Sequence, residues 1–230
     1  MNSTHLQLVG NVASSHGLVE NENRKILQAL EVFSINLMGS PGSGKTHLIL
    51  RTIHGLCGQL QIGVVEGDTT SVALDSEQVM ASGVPVTEVN TGDSGCVDAL
   101  MLSSAMAKLP LSQLDLLLVE NVGNLILPAS SKLGTHANVL VASVPEGDDK
   151  PLKYPGIYRS ADVVILNKTD LIPAIPFDLA EFRRGIERIN PAALVFPLSA
   201  YTGADVHCWF DWLLKRCGVN QKPSALRQQA

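Results

Sequence analysis

Short apolar runs and helical patterns alternate along most of the chain. Runs dense in Leu, Val and Ile cover 33–38, 61–66, 86–90, 114–120, 138–144, 161–167 and 193–198, and each predicts a strand. Between them, helical patterns cover 45–58, 72–82, 97–108, 178–189 and 205–217. Runs such as "LDLLLVE" (114–120) and "ADVVILN" (161–167) lack the polar alternation of a half-exposed strand, so both faces of the sheet are covered. The pattern predicts an α/β fold, a mostly parallel sheet of about seven strands with helices on both faces. "ENRKILQALEVF" (22–33) is also helical in character, with Ile26, Leu27 and Leu30 on one side. Residues 1–22 read as a polar arm, 23–217 as one domain, "LIPAIPF" (171–177) as a proline-rich loop and 218–230 as a loose tail.

Composition narrows the function classes. A length of 230 residues suits a single α/β domain. The formal net charge of −5 and 4% aromatic content carry no basic signature for nucleic acid, and none is expected as a partner. The apolar runs fall far short of a bilayer span, and the first residues lack a basic region followed by an apolar one. Neither a membrane partner nor a signal peptide is therefore expected. The four cysteines (Cys57, Cys96, Cys208, Cys217) form no CxxC, so a reduced, cytoplasmic location is expected.

The chemistry starts at "GSPGSGKT" (39–46), a complete G-x-x-x-x-G-K-[ST] motif between a predicted strand and a predicted helix. Gly39, Gly42 and Gly44, interleaved with Ser40, Pro41 and Ser43, let the backbone curl so that its N–H groups face phosphate oxygens. The helix N-terminus adds to that field. Lys45 is expected to reach the β and γ phosphates, and the Thr46 hydroxyl to ligate Mg²⁺. His47, on the first helical turn, is a candidate for a phosphate contact, with a solvent-facing position the favoured reading. Asp68 ends the strand of "VVEGD" and Glu120 that of "LLLVENVGN". Carboxylates at these strand ends can hold Mg²⁺ or its waters, because ligand sites in open α/β sheets lie off the strands' carboxyl ends. Gly123 permits close backbone approach to a γ-phosphate, which would make it a sensor of GTP versus GDP.

The base is read from "VVILNKTDL" (163–171). The carboxylate of Asp170 accepts from guanine N1–H and its 2-amino group. Adenine offers no such donor pair, and an unpaired carboxylate costs about 1–3 kcal/mol. Asn167 suits the O6/N7 edge, the Lys168 stem can lie along the base, and the backbone N–H groups of Ser199 and Ala200 in "FPLSAYTG" can meet O6. P-loop, Asn-Lys-x-Asp and Ser-Ala follow in the order of a GTPase.

The phrases "NLMGSPGSGKT", "VVEGD", "VNTGDSGCVDA", "ENVGNLILPA", "VPEGDDKPLKYP" and "LNKTDL" extend the likeness from about residue 21 to 216. Over that span the chain resembles the HypB-type GTPases that assist nickel insertion into [NiFe] hydrogenase, relatives of the urease accessory GTPases. The resemblance implies a P-loop GTPase of the SIMIBI class, a GTP-promoted homodimer in which the protomers complete each other's sites, and hydrogenase maturation factors or a hydrogenase large subunit as partners. It makes Lys150 and Lys153 candidates for nucleotide or cross-dimer contacts, beside a plain reading as solvated loop lysines.

The transition-metal segment departs from that family. Its usual Cys-His pair after "TG-x-G" reads Cys96-Val97 here, and its second Cys position is Leu127. Valine and leucine donate to no metal, so Cys96 alone remains for Ni²⁺ or Zn²⁺ and is read as structural or vestigial. His207, Cys208 and Cys217 are read as core packing on the last helix, and His136 as lying near the degenerate segment. The expected reaction is attack of water on the γ-phosphate of Mg·GTP, using Lys45, Asp68 and Glu120. Asp68 orients the water, with Asp75 as the alternative. A regulatory or scaffold paralogue that binds GTP, hydrolyses almost nothing and serves another metalloenzyme is the competing reading. A small-molecule kinase is disfavoured by the guanine motif.

Overall fold

The computed structural model describes residues 17–68, 74–128 and 131–218. Seven strands, β1 (Phe33–Met38), β2 (Ile62–Asp68), β3 (Val86–Asn90), β4 (Leu116–Glu120), β5 (Ala137–Ser143), β6 (Val163–Asn167) and β7 (Leu194–Pro197), form one sheet. Its order is β3-β2-β4-β1-β5-β6-β7, and every pairing is parallel. The helices are α1 (17–29), α2 (Lys45–Leu56), α3 (Leu74–Ala81), α4 (Ala99–Met106), α5 (Lys150–Lys153), α6 (Pro155–Ser160), α7 (Leu179–Ile189) and α8 (Val206–Arg216). Each predicted strand and helix is present, with ends displaced by a few residues. β2 runs through Gly67 to Asp68 because it pairs with β3 along that length, Asp68 facing Asn90. Helix α1 begins inside the segment read as arm. The Asn23 amide on its inner face donates to the carbonyls of Ala99 (2.8 Å) and Leu133 (3.0 Å).

Side-chain alternation along the strands divides the core in two. Ile35, Leu37, Val64, Leu118, Val139 and Ile165 pack under α2 and α8. Their neighbours Val65, Leu117 and Val119 meet α1 and α4, while Leu140, Val164 and Leu166 meet α6 and α7. Trp209 of α8 is fully buried and its indole N–H donates to Thr52 Oγ1 on α2 at 2.9 Å. Truncating such a residue to alanine costs about 3–5 kcal/mol. Asp98 and Asp178 accept the Met101 and Glu181 N–H groups and so start α4 and α7. β1 is the central strand: the chain leaves it for β2, two places away, returns beside it as β4, and then crosses to β5 on its other side. A crevice therefore opens at its carboxyl end.

Two expectations are corrected. His207 and Cys208 are exposed on α8 and contact each other (Sγ to Nε2 3.4 Å), so they are not core residues; Cys217 is half-buried against the core. The helical face that packs inward is the one carrying Trp209, Trp212 and Leu213. His136 precedes β5 and so stands at the amino end of the sheet, while Cys96 follows β3 at the carboxyl end. At the amino end the Nδ1 of His136 meets Ser34 Oγ at 2.8 Å, and the His136 ring lies 5.5 Å from that of Phe33. Burial and the nearby Arg24 charge hold its pKa below the usual histidine value.

Candidate functional site

The loop after β1 turns tightly around its own backbone. Gly39 has φ +154°, and a Cβ there would stand 2.4 Å from the Val141 carbonyl oxygen of β5 and 2.9 Å from Ser43 Oγ. No side chain fits. Ser43 Oγ is buried and has no hydrogen-bond partner among the described residues, inside the curl where the motif would hold phosphate. Helix α2 starts at Gly44 with no side-chain cap, so its first N–H groups remain for an anion. Lys45 is only 6% exposed, and its Nζ folds back to donate to the carbonyls of Gly39 (3.3 Å) and Ser40 (3.2 Å). His47 is exposed on the first turn of α2.

The carboxylate strand ends converge on this loop. Thr46 Oγ1 donates to Glu120 Oε1 at 3.0 Å, bringing together two of the residues expected to hold magnesium, one from the motif and one from a strand end. Asp68 ends β2 half-exposed, its backbone carbonyl accepting from the Thr91 N–H at 2.7 Å. The side chain of Asp75 lies outside the described residues. Beyond Glu120 the chain runs under the P-loop. Gly39 and Asn124 form an antiparallel bridge, and a Cβ on Gly123 would meet the Pro41 backbone nitrogen at 2.9 Å. Only glycine allows that approach.

Three asparagines, Asn36 and Asn121 buried and Asn138 half-buried, fix this segment. Asn121 Oδ1 accepts from the N–H groups of Val97 (2.9 Å) and Val122 (3.0 Å). Its amide donates to Asn36 Oδ1 (3.1 Å), and the Asn36 amide donates to Asn138 Oδ1 (3.1 Å). The ladder crosses from the end of β4 through β1 to β5. It also ties the segment carrying Cys96 to the one carrying Gly123. Sequence reading missed it. The signal was an asparagine interrupting each apolar run, in "SINLM", "VENVG" and "ANVLV".

On the other side of β1, Asn167 ends β6 and acts as a junction. Its amide donates to the Ser43 carbonyl at 3.0 Å, and its Oδ1 accepts from the N–H groups of Lys168 (2.8 Å) and Ala200 (2.9 Å). P-loop, Asn-Lys-x-Asp turn and Ser-Ala turn are thereby joined through one side chain. Lys168 takes the left-handed conformation (φ +60°), and its Nζ donates to the Gly42 carbonyl at 2.7 Å. A non-glycine residue held there costs on the order of 1 kcal/mol, offset here by that lysine contact. Asp170 is exposed on the following turn, available to a ligand. Ser199 and Ala200 are buried, and their N–H groups are given to the Ala204 carbonyl (3.0 Å) and to Asn167.

Lys150 and Lys153 both lie on α5. Lys150 Nζ sits 4.8 Å from the Tyr154 ring centroid, and Lys153 pairs with Asp149 at 2.5 Å across exposed surface. The Lys153 partner holds the Asp149 carboxyl below its usual range. In the Cys96 region, the thiol is half-buried, and burial raises its pKa against a hydrogen bond with Ser131. Val97 is fully buried, whereas Leu127 is 42% exposed, with its Cδ1 3.0 Å from the Cβ position of Gly95. Leu127 thus lies against Gly95, two positions before Val97; Val97 is part of the core, and both residues are aliphatic. Among the described residues no three His, Cys, Asp or Glu side chains are grouped as a metal site. A cavity of about 400 Å³ opens at the opposite end of the sheet, with Arg159, Asp162, Trp212 and Arg216 in its wall. Its arginines lie in the last turns of α6 and α8, where cations offset helix dipoles.

The profile of a family described as "CobW/HypB/UreG, nucleotide-binding domain" matches residues 33–197, a span that runs from β1 through the P-loop and the Asn-Lys-x-Asp turn and ends just before Ser199 and Ala200. A hydrogenase maturation factor HypB from Azotobacter vinelandii is 42% identical over 211 residues, covering 91% of this chain and 69% of that protein. This chain belongs to the HypB family. Two solved HypB structures share its fold. That of the Archaeoglobus fulgidus protein has a TM-score of 0.82 at 36% identity and covers 89% of this chain and 99% of its own. That of the Helicobacter pylori protein, in complex with nickel, has a TM-score of 0.84 at 30% identity, covering 91% and 98%. The HypB family is one of P-loop proteins, and the seven-stranded parallel sheet with its loop after the central strand is the architecture that family shares.

Proposed function

We propose that the protein is a GTP-hydrolysing maturation factor in which Mg·GTP promotes homodimerisation, and that the dimer serves nickel delivery or assembly of [NiFe] hydrogenase. The observation that carries this reading is the Asn167 junction, which joins the phosphate loop to both halves of the guanine motif while leaving Asp170 exposed for the base. The relatives' printed names support the pathway, since they are hydrogenase maturation factors.

The residues present fit a nucleoside triphosphate and its metal. The buried Ser43 hydroxyl and the glycine-only curl at Gly39 suit a phosphate cradle, and Lys45 would exchange the Gly39 and Ser40 carbonyls for phosphate oxygens. Thr46, Asp68 and Glu120 would hold magnesium, which when bound neutralises charge on the β and γ phosphates. Asp68 orients the attacking water, and Gly123 places backbone against the γ-phosphate edge of the loop. Asp170 selects guanine through its two donors, and Lys168 lies along the base. Lys150 and Lys153 stand on α5 as contacts to the nucleotide or across the dimer. The Cys96 site is degenerate: with Val97 in the core and Leu127 aliphatic, one thiolate per protomer remains to a soft metal. Slow hydrolysis suits a switch whose nucleotide state controls docking.

Light scattering on the purified chain tests the dimer claim. With magnesium and a non-hydrolysable GTP analogue the mass should double, while GDP leaves the protein monomeric. The same mass in all nucleotide states contradicts the switch.

A further inference from the structure

The P-loop has an anionic neighbour that its motif does not require. After β5 the chain makes a single 3-10 turn, Val144–Glu146, with Val144 fully buried and Pro145 stiffening its start. This turn aims Glu146 back at the phosphate loop. Ser40 Oγ donates to Glu146 Oε2 at 2.6 Å, and Ser143 Oγ donates to Oε1 at 2.9 Å. Both carboxylate oxygens are thus held by hydroxyls, one from the loop after β1 and one from the end of β5. Hydrogen bonds from a hydroxyl to a carboxylate are short and about twice as strong as neutral ones.

Ser40 is not a passive member of the loop. Its carbonyl accepts from Lys45 Nζ at 3.2 Å and from the Ser43 N–H at 3.2 Å. Fixing its hydroxyl therefore fixes the residue on which the phosphate-binding lysine rests. On its other side, Glu146 leads through Gly147 into Asp148, whose carboxylate accepts the Asp178 N–H at 2.8 Å, and then into α5 with its two lysines. Two carboxylates two residues apart thus hold this stretch, Glu146 against the phosphate loop and Asp148 at the start of the lysine segment.

Its charge has a separate consequence. A carboxylate at the rim of a phosphate cradle repels a polyphosphate, and low local dielectric strengthens the effect. Hydrogen bonding and charge thus act in opposite directions on nucleotide affinity. We propose that Glu146 is a positioning residue for the phosphate loop, holding Ser40 in place while its negative charge moderates affinity for a nucleoside di- or triphosphate. This rests on the nucleotide reading above, and an isosteric substitution separates its two halves. In Glu146→Gln the amide oxygen accepts from one serine and the NH₂ group donates to the other, so the geometry survives and the charge is lost.

The experiment measures Mg·GTP and GDP affinity by titration calorimetry for wild type, Glu146→Gln, Glu146→Ala, Ser40→Ala and the Ser40→Ala/Glu146→Ala double variant. Each variant's thermal unfolding is recorded without nucleotide. Glu146→Gln should bind both nucleotides about three- to tenfold more tightly than wild type, while Glu146→Ala binds no more tightly than wild type. The two alanine changes should be non-additive in affinity, because they remove the same contact. A purely structural role would lower the unfolding midpoint of all four variants and leave the affinity of the folded protein alone. Equal affinity shifts in Gln and Ala, or additivity of the two alanine changes, overturns the inference while leaving the nucleotide site standing. Failure of wild type to bind guanine nucleotide overturns the nucleotide reading itself, and the inference with it.

Discussion

In the proposed function Asp170 carries the choice of base, and its exposed setting makes that choice testable without disturbing the fold. The residue is exposed on a 3-10 turn, so a polar substitution there should change stability by less than about 0.5 kcal/mol. Replacing its carboxylate with an amide turns one acceptor oxygen into a donor, which faces the guanine 2-amino group with like polarity. Asp170→Asn should weaken GTP binding by about 30-fold or more while improving binding of xanthosine triphosphate, whose 2-oxo group accepts a hydrogen bond. Competition against a fluorescent guanine nucleotide measures both, and an unaltered preference for GTP would show that Asp170 does not touch the base. Neighbouring residues do work of a different kind. Asn167 spends its Oδ1 on two backbone N–H groups and part of its amide on Ser43, so it assembles the site as much as it reads a ligand. The Ser199 and Ala200 N–H groups, expected at O6, are donated within the protein. Such assignments follow from contacts over more than thirty residues of sequence, which a motif names without disclosing.

At the scale of elements, the centre of the sheet is held by polar as well as apolar contacts. Asn36 lies fully buried in β1 and bonds Asn121 on one side and Asn138 on the other. Removing its amide leaves a buried donor of Asn121 and an acceptor of Asn138 unmet, at about 1–3 kcal/mol each. Asn36→Ala should therefore lower unfolding free energy by about 2–5 kcal/mol in urea titration, and a change under 1 kcal/mol would mean that water repairs the gap. The strands were legible because runs such as "LDLLLVE" admit little besides a covered parallel strand. The ladder was not legible, because an asparagine in such a run announces a polar contact without naming its partner. Helices α5 and α6 escaped for another reason: at four and six residues they are too short to show periodicity. Proline at their first turns was the available signal. Glu146 was invisible because its partner Ser40 lies 106 positions away in sequence. His207 and Cys208 were misplaced because tryptophans nearby in sequence occupy a different face of α8.

For the whole molecule, the open question of chemistry is what the nucleotide state governs. The HypB fold is retained from the P-loop to the last strand, while two of the three transition-metal positions are aliphatic. A symmetric dimer would then bring together two Cys96 thiolates and no further donor from Val97 or Leu127. Titration of the GTP-analogue complex with Ni²⁺ and Zn²⁺ should show no tight site, and Cys96→Ala should leave the isotherms unchanged. Tight binding that disappears in Cys96→Ala would restore a metal role to this segment. Among the described residues no helix is long and apolar enough to cross a membrane. All four cysteines are free.

The proposed function depends on guanine nucleotide occupying the loop after β1. Paired calorimetric titrations of the wild-type chain with Mg·GTP and Mg·ATP measure that directly. GTP should bind with one site per protomer and at least about 100-fold more tightly than ATP, the ratio expected when adenine leaves the Asp170 carboxylate unpaired. Equal affinities, or tighter binding of ATP, would contradict the account at its centre.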